Sequence, residues 1–179
     1  MWTVMDSPIG DLRIVERDGK ITQIEFSPFR DHDGRPRGAR SDDHPVLVEA
    51  VAQLRAYFAR ELKEFDLPVA PIGSTFQMSV WDQLVRIGYG DTASYGEIAA
   101  RLGMTNAASR AVGLANGRNP IPIVVPCHRV IGANGTLTGY AGGLERKRKL
   151  LALEAVKEPL LQHPIPQTPL DAIRAEYRT

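Results

Sequence analysis

The chain has one cysteine, Cys127, among its 179 residues. A single thiol excludes an internal disulfide and any cysteine-based zinc cluster, so it serves either inert packing or chemistry, and composition alone favours packing. Long apolar runs are missing too. No stretch approaches the roughly 18 uncharged apolar residues of a membrane helix. The start of the chain, with Asp6 and Pro8, lacks the basic and then apolar run of a secretory signal. A soluble protein of the cytoplasm is the expectation. Large net charge is absent as well, because 22 Lys and Arg against 21 Asp and Glu give +1. What is present is 43% hydrophobic content, enough for one sizeable domain or two small ones sharing an interface.

The small total hides an uneven distribution. Between residues 101 and 150 stand eight cations, Arg101, Arg110, Arg118, Arg129, Arg146, Lys147, Arg148 and Lys149, against Glu145 alone; that stretch carries +7 and leaves −6 for the rest of a chain that totals +1. A polyanion would be drawn to one part of the surface only. The run 146–149 by itself would suit a solvated face. The other four arginines stand among small and apolar residues and fit that reading less well.

The first 70 residues read as a small α/β domain. Strands are expected over 3–6, 12–16 (alternating) and 21–26, joined by turns at Ser7-Pro8-Ile9-Gly10 and Asp18-Gly19. Residues 27–45, rich in Pro, Gly, Arg and Asp, form a solvated loop. Apolar residues then recur at intervals of three or four from 46 to 62 (Leu47, Val51, Leu54, Tyr57, Phe58, Leu62), the pattern of an amphipathic helix. Residues 66–71, broken by two prolines, lead to a second, mainly helical unit over 71–157, and a proline-rich tail occupies 158–179, with a short helix expected over 170–177.

The second unit opens with Ser74-Thr75-Phe76-Gln77, spaced as a capping box, before a helix expected over 75–87. A second box, Ser94-Tyr95-Gly96-Glu97, starts a short helix that Gly103 can end. Asn106 can cap the next, ending at Asn116-Gly117. Two short helices joined by a tight turn suggest a helix-turn-helix. The second one, Ala107-Ala108-Ser109-Arg110-Ala111-Val112-Gly113-Leu114-Ala115-Asn116, is mostly small side chains around one long cation, suited to close approach by another helix or by a groove wall of DNA.

Three prolines stiffen Asn119-Pro120-Ile121-Pro122-Ile123-Val124-Val125-Pro126-Cys127-His128-Arg129-Val130, so this apolar segment presents Cys127 in a fixed pose. The stretch resembles the active-site signature of the O6-alkylguanine-DNA alkyltransferases. The resemblance runs colinearly from about residue 76 to 154, through Ser94-Tyr95-Gly96, Arg110-Ala111-Val112-Gly113, Gly139-Tyr140-Ala141-Gly142-Gly143-Leu144 and Leu150-Leu151-Ala152-Leu153-Glu154. It implies an N-terminal domain of ribonuclease H-like fold followed by a winged helix-turn-helix domain.

The chemistry agrees with the residues. Removing an alkyl group from a base oxygen at neutral pH needs a soft, strong nucleophile, and a thiolate is the best that side chains offer. His128 is a candidate base and Glu154 a carboxylate able to fix its tautomer.

The resemblance implies that Cys127, a bridging water, His128 and Glu154 form a relay, with Asn119 bracing the turn and Tyr95 donating to the base as it departs. Val130, Tyr140, Ala141 and Gly142 would line the substrate pocket. It further implies that Arg110 fills the gap left by a flipped nucleotide, while Ala108, Ser109, Ala111, Gly113 and Arg129 contact the minor groove of double-stranded DNA. The alkyl group of O6-alkylguanine, and of O4-alkylthymine, would move irreversibly to Cys127, with neither cofactor nor metal. The protein would be a monomer in solution, cooperative assembly on DNA being left open. Asn116 and Ala141 depart from some relatives, which carry an apolar residue and a serine there. Two other classes compete: a non-reactive lesion-binding protein, which would replace the cysteine, and a cysteine hydrolase, which would leave the basic helix-turn-helix unexplained.

Overall fold

The computed structural model describes residues 1–31, 34 and 36–155; the proline-rich tail and its expected helix lie outside them. Three antiparallel strands, β1 (Trp2–Met5), β2 (Leu12–Arg17) and β3 (Lys20–Phe26), form a sheet in that order. The turn between β2 and β3 places Asp18 at φ 52° and Gly19 at φ 76°, two consecutive left-handed residues of the kind a two-residue hairpin requires. β2 does not alternate as the sequence suggests. Five of its six residues are buried, because α1 (Pro45–Phe58) packs on the sheet while Trp2 and Phe29 enclose the Arg13 guanidinium, which also pairs with Glu25 and Asp31. Part of the supposedly solvated loop is thus pinned to the sheet: Trp2 donates to Gly38 O and Thr3 to Asp42.

On α1, Leu47, Ala50, Leu54 and Tyr57 form the buried face, each leucine stabilising the fold by about 1.5–3 kcal/mol. The helix ends earlier than its apolar period suggests. Arg60 adopts φ 64°, and Leu62 lies past the end.

The outer edge of β3 carries the rest of the molecule. Ile21 donates to Pro68 O at 2.7 Å, Ala70 returns a bond to Ile21 O at 2.9 Å, and Ile24 donates to Pro120 O at 2.9 Å. The segment leading to Cys127 is therefore stitched to the N-terminal sheet.

Both capping boxes form with reciprocal bonds, Ser74 with Gln77 before α2 (Thr75–Leu84) and Ser94 with Glu97 before α3 (Tyr95–Arg101). The helix expected to reach 87 stops at Leu84, and the chain turns at Ile87 N→Leu84 O. Gly103, at φ 72°, follows the end of α3. Asn106 does not cap the next helix: it lies inside a 3₁₀ turn (Asn106–Ala108) that precedes α4 (Ser109–Gly117), and its side chain accepts from the Ser109 hydroxyl. Trp81 of α2 donates to Ala115 O at 2.9 Å, fixing α2 against α4. A short parallel pair, β4 (Ala93–Ser94) and β5 (Val130–Ile131), joins the start of α3 to the residues just after Cys127. α5 (Leu144–Glu154) closes the unit. Among the described residues, no helix is long and apolar enough to cross a membrane.

Candidate active site

The approach to Cys127 is built by one side chain and a strained backbone. Asn119 donates to Val125 O at 2.7 Å and accepts from Ile121 N at 3.0 Å, closing the proline-rich loop on itself. Ile123 is held at φ 76°, a left-handed conformation that a β-branched residue adopts only under constraint, at a cost of about 1–3 kcal/mol. Cys127 then begins a 3₁₀ turn (Cys127–Arg129), 3% exposed, with its carbonyl accepting from buried Asn116 at 3.2 Å.

His128 and Glu154 meet in the interior. His128 Nε2 lies 2.7 Å from Glu154 Oε1, both side chains being essentially inaccessible. Burial alone would raise the Glu154 pKa, but hydrogen bonds from His128 and Arg129 and the Arg129 charge prevail and bring it to about 2. The carboxylate is ionised at neutral pH and can only accept, so the proton between the two belongs to Nε2. Burial lowers the His128 pKa, opposed by Glu154. The imidazole is neutral, with its free lone pair on Nδ1, a buried atom with no hydrogen-bond partner among the described residues.

The resting thiol is not ionised. Burial pushes Cys127 up to about 11, against the lowering effects of Asn119, the Lys147 ammonium and Tyr140. The sequence reading asks for a base to form the thiolate, and a thiol held this high in the presence of the Lys147 cation needs one. Ionisation must accompany the reaction rather than precede it, since a thiolate in so dry a site would be strongly penalised at rest.

The remaining expected residues fall into two groups. Tyr140 has its hydroxyl buried beside the thiol without a well-formed bond, and burial, reinforced by Cys127, pushes its pKa well up. Val130 offers its carbonyl to Lys147 Nζ at 2.6 Å. Ala141 is exposed, and Gly142 must be glycine because a Cβ there would stand 2.7 Å from the Phe26 ring. Tyr95, at the start of α3, accepts from Thr138 Oγ1 at 3.0 Å. On α4 the side chains of Arg110 and Ala111 are exposed, together with Ala107 before the helix and Leu114 after them, while Ala108 and Ser109 are half-buried. Gly113 faces inward: a Cβ would meet the Tyr95 ring at 3.6 Å.

Arg129 corrects the sequence reading. It is 6% exposed and donates to Glu154 Oε2 at 2.9 Å, Glu154 Oε1 at 3.0 Å and Ile87 O at 2.6 Å, so it holds the carboxylate and is not available to DNA. The run 146–149 is likewise no uniform solvated face. Lys147 is fully buried, donating to Val130 O and Thr138 O. Arg146 donates to Ile9 O at 2.7 Å, Ser27 O at 2.6 Å and Gly142 O at 3.1 Å. The spacing of Lys147, Leu150 and Glu154, the buried face of α5, was a signal for Lys147. Nothing local marks Tyr57, which donates to Glu154 Oε1 at 2.6 Å from 97 residues away.

Comparison with known proteins identifies the family. Residues 1–71 match the ribonuclease-like domain and residues 75–156 the DNA binding domain of 6-O-methylguanine DNA methyltransferase. A methylated-DNA–protein-cysteine methyltransferase of Mycolicibacterium paratuberculosis is 52% identical over 159 residues, covering 88% of this chain and 94% of the relative. The constitutive enzyme of that name from Bacillus subtilis is 45% identical over 158 residues, covering 87% and 95%. Among solved structures, the O6-methylguanine methyltransferase of Mycobacterium tuberculosis superposes with a TM-score of 0.81 at 47% identity, covering 88% of this chain and 94% of that one. The same organism's protein in complex with DNA gives 0.75 at 49%, with the same coverage. On sequence, domain content and three-dimensional structure together, the chain belongs to the 6-O-methylguanine DNA methyltransferase family.

Proposed function

We propose that this protein repairs DNA by moving the alkyl group of O6-alkylguanine to Cys127, and that each molecule acts once. The carrying observation is a buried thiol adjoining a neutral histidine whose tautomer is set by an ionised carboxylate. As the base enters, the thiol proton passes to His128 Nδ1 through a water, Lys147 and Tyr140 stabilise the nascent thiolate, and sulfur attacks the alkyl carbon. The carbon–oxygen bond breaks as the carbon–sulfur bond forms. Guanine leaves with the electron pair and takes a proton from the Tyr95 hydroxyl, whose oxygen already accepts from Thr138. The Tyr95 proton is restored from His128 by way of solvent, so the net exchange is hydrogen for alkyl at sulfur and alkyl for hydrogen on the base. A thioether has no good leaving group, so the site cannot regenerate itself.

Duplex DNA stacks its bases out of reach of a thiol fixed in a rigid loop, and the nucleotide must be turned out at a cost of a few kcal/mol. The exposed face of Ala107, Arg110, Ala111 and Leu114 presents small side chains around one cation, suited to a narrow minor groove with Arg110 filling the gap. α3 and α4 would act here as a helix-turn-helix, and Ala141 would border the alkyl pocket.

Intact-mass spectrometry after incubation with an O6-methylguanine oligonucleotide tests the reading. One added methylene per molecule, located on the Cys127 peptide, is expected; lesion loss with an unmodified protein, or many lesions cleared per molecule, overturns it.

A further inference from the structure

We propose that Tyr57, on the N-terminal helix α1, is a positioning residue for alkyl transfer, holding Glu154 so that the carboxylate orients His128 and its charge is shared. The inference rests on the relay proposed above. Glu154 Oε1 accepts from Tyr57 Oη at 2.6 Å, His128 Nε2 at 2.7 Å and Arg129 Nη2 at 3.0 Å. Tyr57 is thus one of three donors on the oxygen that faces the histidine.

The hydroxyl is delivered rigidly. Tyr57 is fully buried, and its ring is flanked by Phe58, Phe65 and Tyr89 at centroid distances of 5.3, 5.4 and 6.2 Å. These come from α1, the segment after it and the segment after α2, so three parts of the chain fix one phenol. Packing alone would be met by phenylalanine at this position. The hydroxyl adds a bond to a buried anion, where a hydrogen bond is stronger than one in water and the geometry is fixed before substrate arrives.

The consequence for chemistry follows from charge sharing. When His128 takes the thiol proton, the imidazolium is stabilised by Glu154. With Tyr57 also donating, part of the carboxylate charge is spent on the phenol and the imidazolium gains less. Tyr57 thereby restrains the basicity of His128, keeping the imidazole neutral and ready to accept. The other charged and titratable groups around the cluster are Arg129 on Glu154, Lys147 and Cys127 near His128, Tyr140 near Cys127 and Glu154, and Tyr89 with Arg60 and Lys63 beside it.

The test compares Tyr57→Phe with Leu54→Ala in the full chain. Leu54 is a fully buried neighbour on α1, and no hydrogen bond joins its side chain to Glu154. Single-turnover rate constants for thioether formation with free O6-benzylguanine are measured from about pH 5 to 9, the burst amplitude giving the folded, competent fraction. Removing the hydroxyl should raise the apparent pKa of the acid limb by about half a unit to one unit, so that on the acid side of both values the rate constant falls roughly threefold to tenfold, and by less as pH rises through them. Leu54→Ala should lower amplitude or thermal stability and leave the pH profile in place. A Tyr57→Phe profile that superimposes on wild type, or differs only in amplitude as Leu54→Ala does, overturns the assignment. Absence of any thioether on wild-type Cys127 would instead overturn the functional reading on which it rests.

Discussion

Arg129 and Arg110 are 19 residues apart in the same basic stretch, yet they belong to opposite kinds of surface. Arg129 is buried, and its three donors to Glu154 and Ile87 O satisfy it inside the fold. Arg110 is exposed on α4 among small residues. The proposed region of chemistry is assembled in advance from long-range ties, whereas under the proposed function the α4 face would be left bare for DNA to complete. Net charge alone could not separate them, because both contribute equally to it.

The contrast can be broken most decisively at sulfur. Cys127→Ser should abolish transfer of labelled methyl from DNA to protein, while affinity for the duplex survives; labelling of the mutant would end the assignment. Next in size, Arg129→Met should destabilise by about 3–5 kcal/mol, because it leaves the Glu154 carboxylate buried without its cation. Chemical denaturation measures this, and a loss below about 1 kcal/mol would show that Arg129 is not the partner it resembles. Arg110→Ala should leave stability within roughly 0.5 kcal/mol and slow repair in duplex DNA by about tenfold or more, while the rate with free O6-benzylguanine is unchanged. Equal slowing of both would reject a role in holding the turned-out base.

The smallest effect is read from pH. Glu154 is depressed in the fold from the usual 4.5 to about 2. Its contribution to stability is therefore full above about 4.5 and lost as pH falls toward 2. Acid-unfolding curves of wild type and Glu154→Gln should differ in slope within that window and run parallel above it. Parallel curves throughout would mean that the carboxylate is not preferentially ionised in the folded state.

Local physics is what a sequence displays well. The Ser74 and Ser94 boxes, the Asp18-Gly19 turn and the stiffened path to Cys127 each depend on residues within a few positions of one another, and each is present in the structure. The pairing of His128 with Glu154 spans 26 residues; chemistry offered Glu154 as a candidate partner, but only family resemblance implied that the two meet. Arg129 was misread because a cation beside a reactive residue gives no sign of whether it faces outward. Tyr57 was read as core, which is true of its ring and silent about its hydroxyl. The Cys127 ionisation state was not legible for a related reason: a nucleophile's identity is written in the residue, but its desolvation is set by everything packed over it.

Arg146 has a consequence for how such a chain can vary. One guanidinium reaches backbone carbonyls in the first turn of the molecule, in the bend after β3 and in the loop that would border the alkyl group, and it lies 3.2 Å from the place a Cβ on Gly10 would occupy. Carbonyls are present whatever the side chains, so at Ile9 and Ser27 the rivet tolerates changes of residue type but not of backbone course. An insertion near residue 10 would be felt as a change of shape at residue 142, and drift at one end of the sequence must be matched at the other.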